Sequence, residues 1–300
     1  MISVVIPVYN EEKSIARVLS DVAKSMKESF KEHEIIVIND GSTDKTAEVL
    51  EKEKGIGLVI LTHPENIGYG KSLLDGILAA RYGCIAIMDG DGSYSPEHIK
   101  RLYEYYPKYD MVVGARQGKE YKKGLLKKPA RALFQYLTEY ASGRKVPDVN
   151  SGLRIFKKDM VLKFKDSLCS GFSFTTTITL IFLLNHYYVK YIPIPYTKRT
   201  GKSKVRHFRD TLRTGQIIVE SILYYNPVKL FLLLASGNAI LGIIIGVINQ
   251  LLLKLDFISI ASAICIASFI PVFCIGLIAD QLRKIYHIGR WQKYEERKVS

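Results

Sequence analysis

The sequence predicts an α/β domain with a mainly parallel sheet, followed by a two-helix transmembrane hairpin. Two observations predict this architecture: short β-rich runs alternate with amphipathic stretches over residues 1–200, and two long apolar segments lie near the C-terminal end. Because the β-rich runs are continuously apolar, helices are expected to cover both faces of the sheet. Ligands of such sheets bind where the strands end, so the strand ends are the places to search for a site.

The elements of this domain follow from apolar periodicity. Runs of β-branched residues predict the strands, and apolar residues spaced three or four apart predict the helices. The predicted strands are residues 3–8, 34–38, 58–61, 84–88 and 111–113, and the predicted helices are residues 12–29, 46–54, 71–80 and 96–105.

Composition excludes several classes of protein. The 300 residues are 48% hydrophobic, which is too apolar for an intrinsically disordered chain, and four dispersed cysteines cannot frame a disulfide scaffold. A formal net charge of +14 is compatible with nucleic-acid binding, but much of the positive charge flanks the apolar segments. Membrane topology explains that placement more simply, so no nucleic-acid partner is expected.

The two apolar segments are each long enough to cross the hydrocarbon core of a bilayer, which is about 30 Å thick. We expect spans at about residues 229–252 and 257–279 within 227–282, with close packing at Gly237, Gly242 and Gly246. Basic residues precede the first span and fill the tail at 283–300, whereas the turn between the spans has only Lys254. The positive-inside rule therefore predicts a multi-pass cell-membrane protein with its N-terminal domain and tail in the cytoplasm. No signal peptide is expected at the N-terminus.

Polar residues follow four of the predicted strands. The first strand ends in Pro7-Val8-Tyr9-Asn10-Glu11, the second in Asn39-Asp40-Gly41, the fourth in Asp89-Gly90-Asp91, and the fifth in Gly114-Ala115-Arg116. No Gly-x-Gly-x-x-Gly follows the first strand, which argues against an NAD or FAD enzyme.

Asp89 and Asp91 are the most specific feature of this edge. Side chains two residues apart in an extended segment point to the same side, and unpaired carboxylates there would repel each other. A hard cation, Mg²⁺ or Mn²⁺, removes that repulsion and bridges carboxylates to phosphate oxygens. The pair therefore predicts a metal site that binds a diphosphate.

The motifs together resemble the family 2 glycosyltransferases of GT-A fold, and within them the polyprenyl-phosphate glycosyltransferases of the dolichol-phosphate mannose synthase type. The resemblance covers residues 1–205, and a juxtamembrane amphipathic helix is expected at 206–226. The motifs are Pro7-Val8-Tyr9-Asn10-Glu11, Asn39-Asp40-Gly41-Ser42-Thr43-Asp44, Asn66-x-Gly68-x-Gly70-Lys71, Asp89-Gly90-Asp91 and Ser151-Gly152-Leu153-Arg154-Ile155-Phe156.

The resemblance implies roles for individual residues. Asp89 and Asp91 would be catalytic and hold the metal, and Ser93, where the mannose synthases often have Gln, would be the third metal position. Arg199 would be catalytic in a basic loop that closes over the diphosphate and the acceptor phosphate. The residues implied in nucleotide-sugar binding are Pro7, Tyr9, Glu11, Ile38, Asp40, Lys71, Asp89, Gly90, Asp91, Arg116 and Ser173, and those of the basic loop at the acceptor phosphate are Lys198, Arg199 and Lys204.

A further acceptor residue is predicted from the pattern at 119–142, where basic residues overlap an apolar face. Such a helix lies in a membrane interface, and Arg131 is the hypothesised contact with the acceptor phosphate. A solvated basic face on an ordinary helix is the alternative. Asp148 either lines the site or forms a turn.

The expected reaction follows from the absence of an evident general base. A hydroxyl acceptor needs one, whereas a lipid monophosphate is already an anionic nucleophile. We expect inverting, metal-dependent transfer of a hexose, mannose or glucose, from GDP-mannose or UDP-glucose to a dolichyl or undecaprenyl phosphate. Transfer to a lipid or glycan hydroxyl, a nucleotide-sugar-binding scaffold without turnover and a transport subunit are the alternatives. A homo-oligomer is compatible with the sequence.

Overall fold

The computed structural model describes residues 1–118, 128–165, 168, 174–197, 215–216, 218–220, 222–223 and 226–299, without the side chains of residues 56, 128–131, 133–134, 253 and 286–299. The chain divides into two compact units, Met1–Ile218 and Val219–Ser300. The first is an α/β domain and the second is helical.

The first unit alternates strands and helices as its apolar periodicity predicts. Its strands are β1 (Ile2–Val8), β2 (His33–Asn39), β3 (Leu58–Thr62), β4 (Cys84–Ile87), β5 (Met111–Gln117), β6 (Arg154–Lys157) and β7 (Val189–Pro195). Its helices are α1 (Ile15–Ser29), α2 (Thr46–Lys52), α3 (Tyr69–Ala79), α4 (Glu97–Tyr103), α5 (Lys128–Ser142), α6 (Lys158–Leu162) and α7 (Phe174–Leu184).

The strands form one sheet in the order β3-β2-β1-β4-β6-β5-β7. All neighbours are parallel except β6, which runs antiparallel to both β4 and β5, so the predicted mainly parallel sheet is confirmed. The central strands β1, β2 and β4 are buried on both faces, whereas the edge strands β3 and β7 are partly exposed. In α3, a Cβ at Gly76 would lie 2.5 Å from Ile38 Cδ1 and from Val5 Cγ1, so only glycine lets this helix pack directly on β1 and β2.

The strand register brings several loops to one edge of the sheet. Val8, the last residue of β1, pairs with Asn39, and Val5 pairs with Ile87, so β1, β2 and β4 all end on the same side. Because β6 is antiparallel, the chain enters it at that edge, where Arg154 pairs with Ile87. The segment that precedes β6 therefore faces the ends of the parallel strands.

The second unit contains two helical stretches, Pro227–Leu252 and Asp256–Ile285, that are long and apolar enough to cross a membrane by length and composition. They consist of α8 (Pro227–Ile248) with a π-helical turn, and of α9 (Asp256–Ala267) with the start of α10 (Phe269–Val299). The predicted second span is thus divided at Ser268, and the predicted tail continues α10 as helix. The predicted amphipathic segment at 206–226 lies largely outside the described residues.

The hairpin packs through small residues. Ser262 of α9 donates a hydrogen bond of 2.6 Å to the carbonyl of Gly242, and a Cβ at Gly246 would lie 2.6 Å from Ser262 Oγ. A Cβ at Gly276 would lie 2.5 Å from Phe231 Cβ. The expected close packing is therefore present at Gly242 and Gly246. At Gly237, by contrast, a Cβ would meet no described atom within 4 Å apart from its chain neighbours and the backbone of its own helix.

Candidate active site

The loops after β1 and β2 are tied together at the carboxyl edge of the sheet. Asn10, in a left-handed conformation with φ of 53°, accepts hydrogen bonds through Oδ1 from the backbone N–H groups of Thr43 (2.7 Å) and Asp44 (3.3 Å). Thr46 Oγ1 accepts from the backbone N–H of Glu11 at 2.8 Å. These contacts give the edge a fixed outline before any ligand binds.

Asp89 lies two residues beyond the end of β4. Its Oδ1 accepts a hydrogen bond of 2.8 Å from the hydroxyl of Tyr69, the first residue of α3. Burial, and next the charge of Asp89, raise the pKa of Tyr69 well above the usual value of a tyrosine, so the phenol keeps its proton. On another side, a Cβ at Gly152 would overlap the Asp89 carboxylate. The side chain of Asp89 therefore lies directly against the backbone that leads into β6.

Asp91 is buried and is held by Ser93. Its Oδ1 accepts hydrogen bonds from the backbone N–H of Ser93 at 2.9 Å and from the Ser93 hydroxyl at 2.5 Å. Gly92, with φ of 75°, forms the turn that makes both contacts possible. Ser93, implied by the resemblance as a metal ligand, is thus a hydrogen-bond donor to the neighbouring carboxylate in this structure.

Arg116, near the end of β5, forms a bidentate ion pair with Asp148. Arg116 Nε lies 2.7 Å from Asp148 Oδ2 and Nη2 lies 2.8 Å from Oδ1, while the Arg116 backbone N–H donates to Oδ2 at 3.1 Å. Burial alone would raise the pKa of the Asp148 carboxyl, but the charge and hydrogen bonds of Arg116, with the Asn150 N–H, hold it below its usual value. Asp148 therefore stays ionised.

Asp40, one of the residues implied in nucleotide-sugar binding, organises the loop between β3 and α3. Its carboxylate accepts from the backbone N–H groups of Ile67 (3.1 Å) and Gly68 (2.9 Å), and His63 Nδ1 lies 2.9 Å from Oδ1. The next residue, Gly41, has φ of 63°, and a Cβ there would overlap the backbone of Glu65. The loop is thus packed tightly on the end of β2.

Other residues implied in donor binding have mixed placements. Pro7 and Gly90 are buried, while Tyr9 and Glu11 are partly exposed in the loop after β1. Lys71 pairs with Asp75 in its own helix at 2.5 Å. The side chain of Ile38 is fully buried and lies against Gly76 of α3.

Some predicted residues lie outside the described part of the chain. This applies to Ser173 and to the side chain of Arg131, whose backbone is in α5. The predicted basic loop also lies there, with Lys198, Arg199 and Lys204.

The carboxylates of Asp89 and Asp91 fit a divalent cation that takes its remaining ligands from a substrate and from water. Within the described residues, no group of three or more His, Cys, Asp or Glu side chains could hold a metal ion. Asp89 and Asp91 are two hard oxygen donors at one strand end. Mg²⁺ is typically bound by one or two carboxylates together with substrate phosphates and water, which matches this set.

The roles of two residues that hold the site, Tyr69 and Arg154, were not predicted. Arg154, the first residue of β6, is fully buried and donates to the carbonyls of Ser151 (2.6 Å), Thr175 (3.2 Å) and Val149 (3.3 Å). It therefore fixes the segment before β6 that touches Asp89. The roles of Tyr69 and Arg154 could not be read from the sequence, because both depend on contacts between elements far apart in the chain.

Comparison with known proteins places the domain among sugar transferases. The sequence model of the family described as glycosyl transferase family 2 matches residues 3–164. An undecaprenyl-phosphate 4-deoxy-4-formamido-L-arabinose transferase of Photorhabdus laumondii is 31% identical over 165 residues, which are 53% of this chain and 50% of that protein. An uncharacterized protein of Methanocaldococcus jannaschii is 33% identical over 177 residues, 56% of this chain and 70% of the other. The chain thus spans half the length of the named transferase.

Solved structures share the fold at lower identity. The crystal structure of Mycobacterium tuberculosis glucosyl-3-phosphoglycerate synthase with phosphoglyceric acid has a TM-score of 0.60 and 18% identity, covering 74% of this chain and 80% of that one. A complex of the same enzyme with Mn²⁺, UDP-glucose and phosphoglyceric acid has a TM-score of 0.59 and 18% identity, covering 74% and 79%. The expected GT-A fold is confirmed by this likeness.

Proposed function

The chain belongs to glycosyl transferase family 2, and from that premise we propose that it transfers a sugar from a nucleotide sugar to a polyprenyl phosphate in the membrane. The transfer is a single in-line displacement that inverts the anomeric carbon. The nucleoside diphosphate leaves, and the lipid phosphate oxygen forms the new bond.

The observation that carries the choice of acceptor is the Arg116–Asp148 pair. An enzyme that uses a hydroxyl acceptor needs a carboxylate or imidazole able to take a proton. Asp148, an acidic residue beside Arg116, is bound at both oxygens by that arginine, and its pKa is held below the usual value. A carboxylate in this state is a weak base. A phosphate acceptor, which arrives already ionised, needs no such base.

Asp89 and Asp91 are the proposed holders of Mg²⁺ or Mn²⁺. When bound, the cation neutralises charge on the departing diphosphate. Ser93 and Tyr69 donate hydrogen bonds to these carboxylates and fix their orientation before substrate arrives. Arg116 is proposed to contact the donor, and Asp148 to hold the guanidinium in place for it.

The acceptor phosphate is proposed to meet Arg131 and the basic residues Lys198, Arg199 and Lys204. Basic side chains neutralise the charge that two phosphate groups bring together. Two membrane-length helices in the same chain support a lipid-borne acceptor. Two spans return the chain to its starting side, and the basic flanks favour the cytoplasmic side for both ends.

We propose three candidate sugar donors. GDP-mannose and UDP-glucose are the hexose donors expected from the sequence. Two relatives are named as transferases of 4-deoxy-4-formamido-L-arabinose, so a nucleotide-linked form of that sugar is a third donor to be tested.

A donor and acceptor panel tests the proposal. Purified protein in detergent, with Mn²⁺ or Mg²⁺, is given each nucleotide sugar together with undecaprenyl phosphate or with undecaprenol, and release of nucleoside diphosphate is measured. We expect release with the phosphate and none with the alcohol. Release with the alcohol alone would instead establish the hydroxyl acceptor, and no release with any donor would contradict the proposal.

A further inference from the structure

The carboxylate of Asp89 is confined by two elements that are distant in the sequence. Tyr69 begins α3, and its hydroxyl donates to Oδ1 of Asp89 at 2.8 Å. Gly152 precedes β6, and its Cα lies so near Asp89 that any Cβ would overlap the carboxylate. One residue therefore attracts the carboxylate through a hydrogen bond, and the other limits where it can move.

The backbone at Gly152 is itself held in place. Its N–H donates to the hydroxyl of Tyr94 at 2.8 Å, and Tyr94 is buried. Ser151 donates to the carbonyl of Gly114 at 2.6 Å, and Arg154 binds the Ser151 carbonyl. These hydrogen-bond partners belong to β5, β6 and the loop after β4. The backbone of Gly152 beside Asp89 therefore cannot shift without disturbing the sheet.

We infer that Tyr69 and Gly152 are positioning residues for Asp89, which set the orientation at which its carboxylate meets a divalent cation. The inference rests on the proposed function for the presence of that cation. It goes further by assigning roles to two residues that act through Asp89. It also gives a physical reason for glycine at 152 and for a hydroxyl at 69.

Partners that orient a metal-binding carboxylate contribute to metal affinity, and their loss typically weakens binding 10–100-fold. Tyr69→Phe removes the hydroxyl and keeps the ring, so the packing of α3 is retained. Gly152→Ala adds one methyl group that must displace the carboxylate of Asp89. The matched controls are Tyr188→Phe, at a tyrosine that is 65% exposed, and Gly83→Ala, where a Cβ meets no described atom within 4 Å.

Metal binding is measured directly, by the enhancement of water proton relaxation when Mn²⁺ is titrated into the 300-residue protein in detergent. One series contains UDP and a parallel series contains GDP. We expect the Mn²⁺ dissociation constant to rise about tenfold in Tyr69→Phe and at least as much in Gly152→Ala. Both controls should match the unmodified protein. Nucleoside diphosphate affinity without metal should be unchanged in all four variants, which separates positioning from general damage.

Failure of the inference and failure of the proposed function give different results. If the unmodified protein binds Mn²⁺ and both variants bind it equally well, the positioning roles are wrong and the proposed metal site stands. If the unmodified protein shows no Mn²⁺ binding with either nucleotide, the metal site and the inference are both wrong. Thermal unfolding of each variant shows whether it is folded. If Tyr69→Phe does not fold, Gly152→Ala still provides an independent test.

Discussion

Asp148 binds the guanidinium of Arg116 through both carboxylate oxygens, at 2.7 and 2.8 Å. The Asp148 side chain is 2% exposed and that of Arg116 is 17% exposed, so little water reaches the pair. The guanidinium also lies 5.4 Å from the centre of the Tyr196 ring. Asp148 therefore fixes the orientation of the Arg116 guanidinium at the sheet edge. In return, the guanidinium makes the Asp148 carboxylate a poor base.

Asp148→Asn is therefore expected to destabilise the domain. Removing one partner of a buried ion pair leaves the other charge uncompensated, at a cost of about 3 kcal/mol. The matched control is Asp21→Asn, whose partner Arg17 is 3.9 Å away and whose side chain is 57% exposed, because exposed pairs contribute little. Thermal unfolding in detergent at pH 7 measures both, and equal unfolding temperatures for the two variants would refute the role of the pair.

The same pair predicts a dependence of stability on pH. The folded-state pKa of Asp148 lies below the usual value of 3.8. A carboxyl with a lowered pKa stabilises the fold above its unfolded pKa, and that stabilisation is lost as pH falls through the folded pKa. The stability gap between the unmodified protein and Asp148→Asn should therefore be constant above about pH 5 and shrink below pH 4. Unfolding measured across this range would contradict the prediction if the gap widened on acidification.

Arg154→Lys is expected to lower stability although the charge is conserved. The guanidinium donates to several backbone carbonyls and to Thr179 Oγ1 at 3.0 Å, and a lysine ammonium cannot reach them all. Buried carbonyls left without donors cost about 1–3 kcal/mol each. Arg144→Lys, at an exposed arginine that binds the Tyr187 carbonyl, is the control. Unfolding temperatures that fall equally for both variants would argue against a special role for Arg154.

Gly276→Leu is expected to destabilise the helical hairpin, because its Cβ would press on Phe231. Gly237→Leu makes the same change where no described atom lies within 4 Å of a Cβ. Thermal stability of the purified protein in detergent should fall for the first variant and stay within experimental error for the second. The opposite ranking would mean that the helices pack differently.

Ser93→Ala should weaken metal binding without abolishing activity. The hydroxyl donates to Asp91, and its loss leaves the backbone N–H of residue 93 in place. We expect the metal concentration for half-maximal activity to rise about tenfold, whereas Asp91→Asn should remove activity. Full activity in Asp91→Asn would refute the metal role, and Ser93→Ala as inactive as Asp91→Asn would favour Ser93 as a ligand in its own right.

Local sequence patterns predicted the first five of the seven strands of the sheet, β1 to β5. β1, β2 and β4 are continuous apolar runs, and α1 repeats its apolar residues at helical spacing. Its start was predicted three residues early, because the Glu11 carbonyl accepts from the N–H of Ser14 in a turn that precedes the helix. The strands β6 and β7 were not predicted. β6 has only four residues and begins with an arginine, which is normally exposed.

The candidate site was predicted only as far as local sequence patterns reach. The edge that carries Asp89 and Asp91 follows from strand polarity and the order of the motifs. The partners of these aspartates do not, because Tyr69 and Gly152 reach Asp89 only after α3 and β6 have docked on the sheet. The role of Ile38 in nucleotide-sugar binding, implied by motif resemblance, stays a prediction, and its side chain lies in the core against Gly76.

The most direct test of the account is the choice between two acceptors that differ only in a phosphate group. With the active nucleotide sugar and Mn²⁺ or Mg²⁺, nucleoside diphosphate release is compared for undecaprenyl phosphate and undecaprenol. We expect release with the phosphate and none with the alcohol. Sugar transfer to the alcohol, with none to the phosphate, would contradict it.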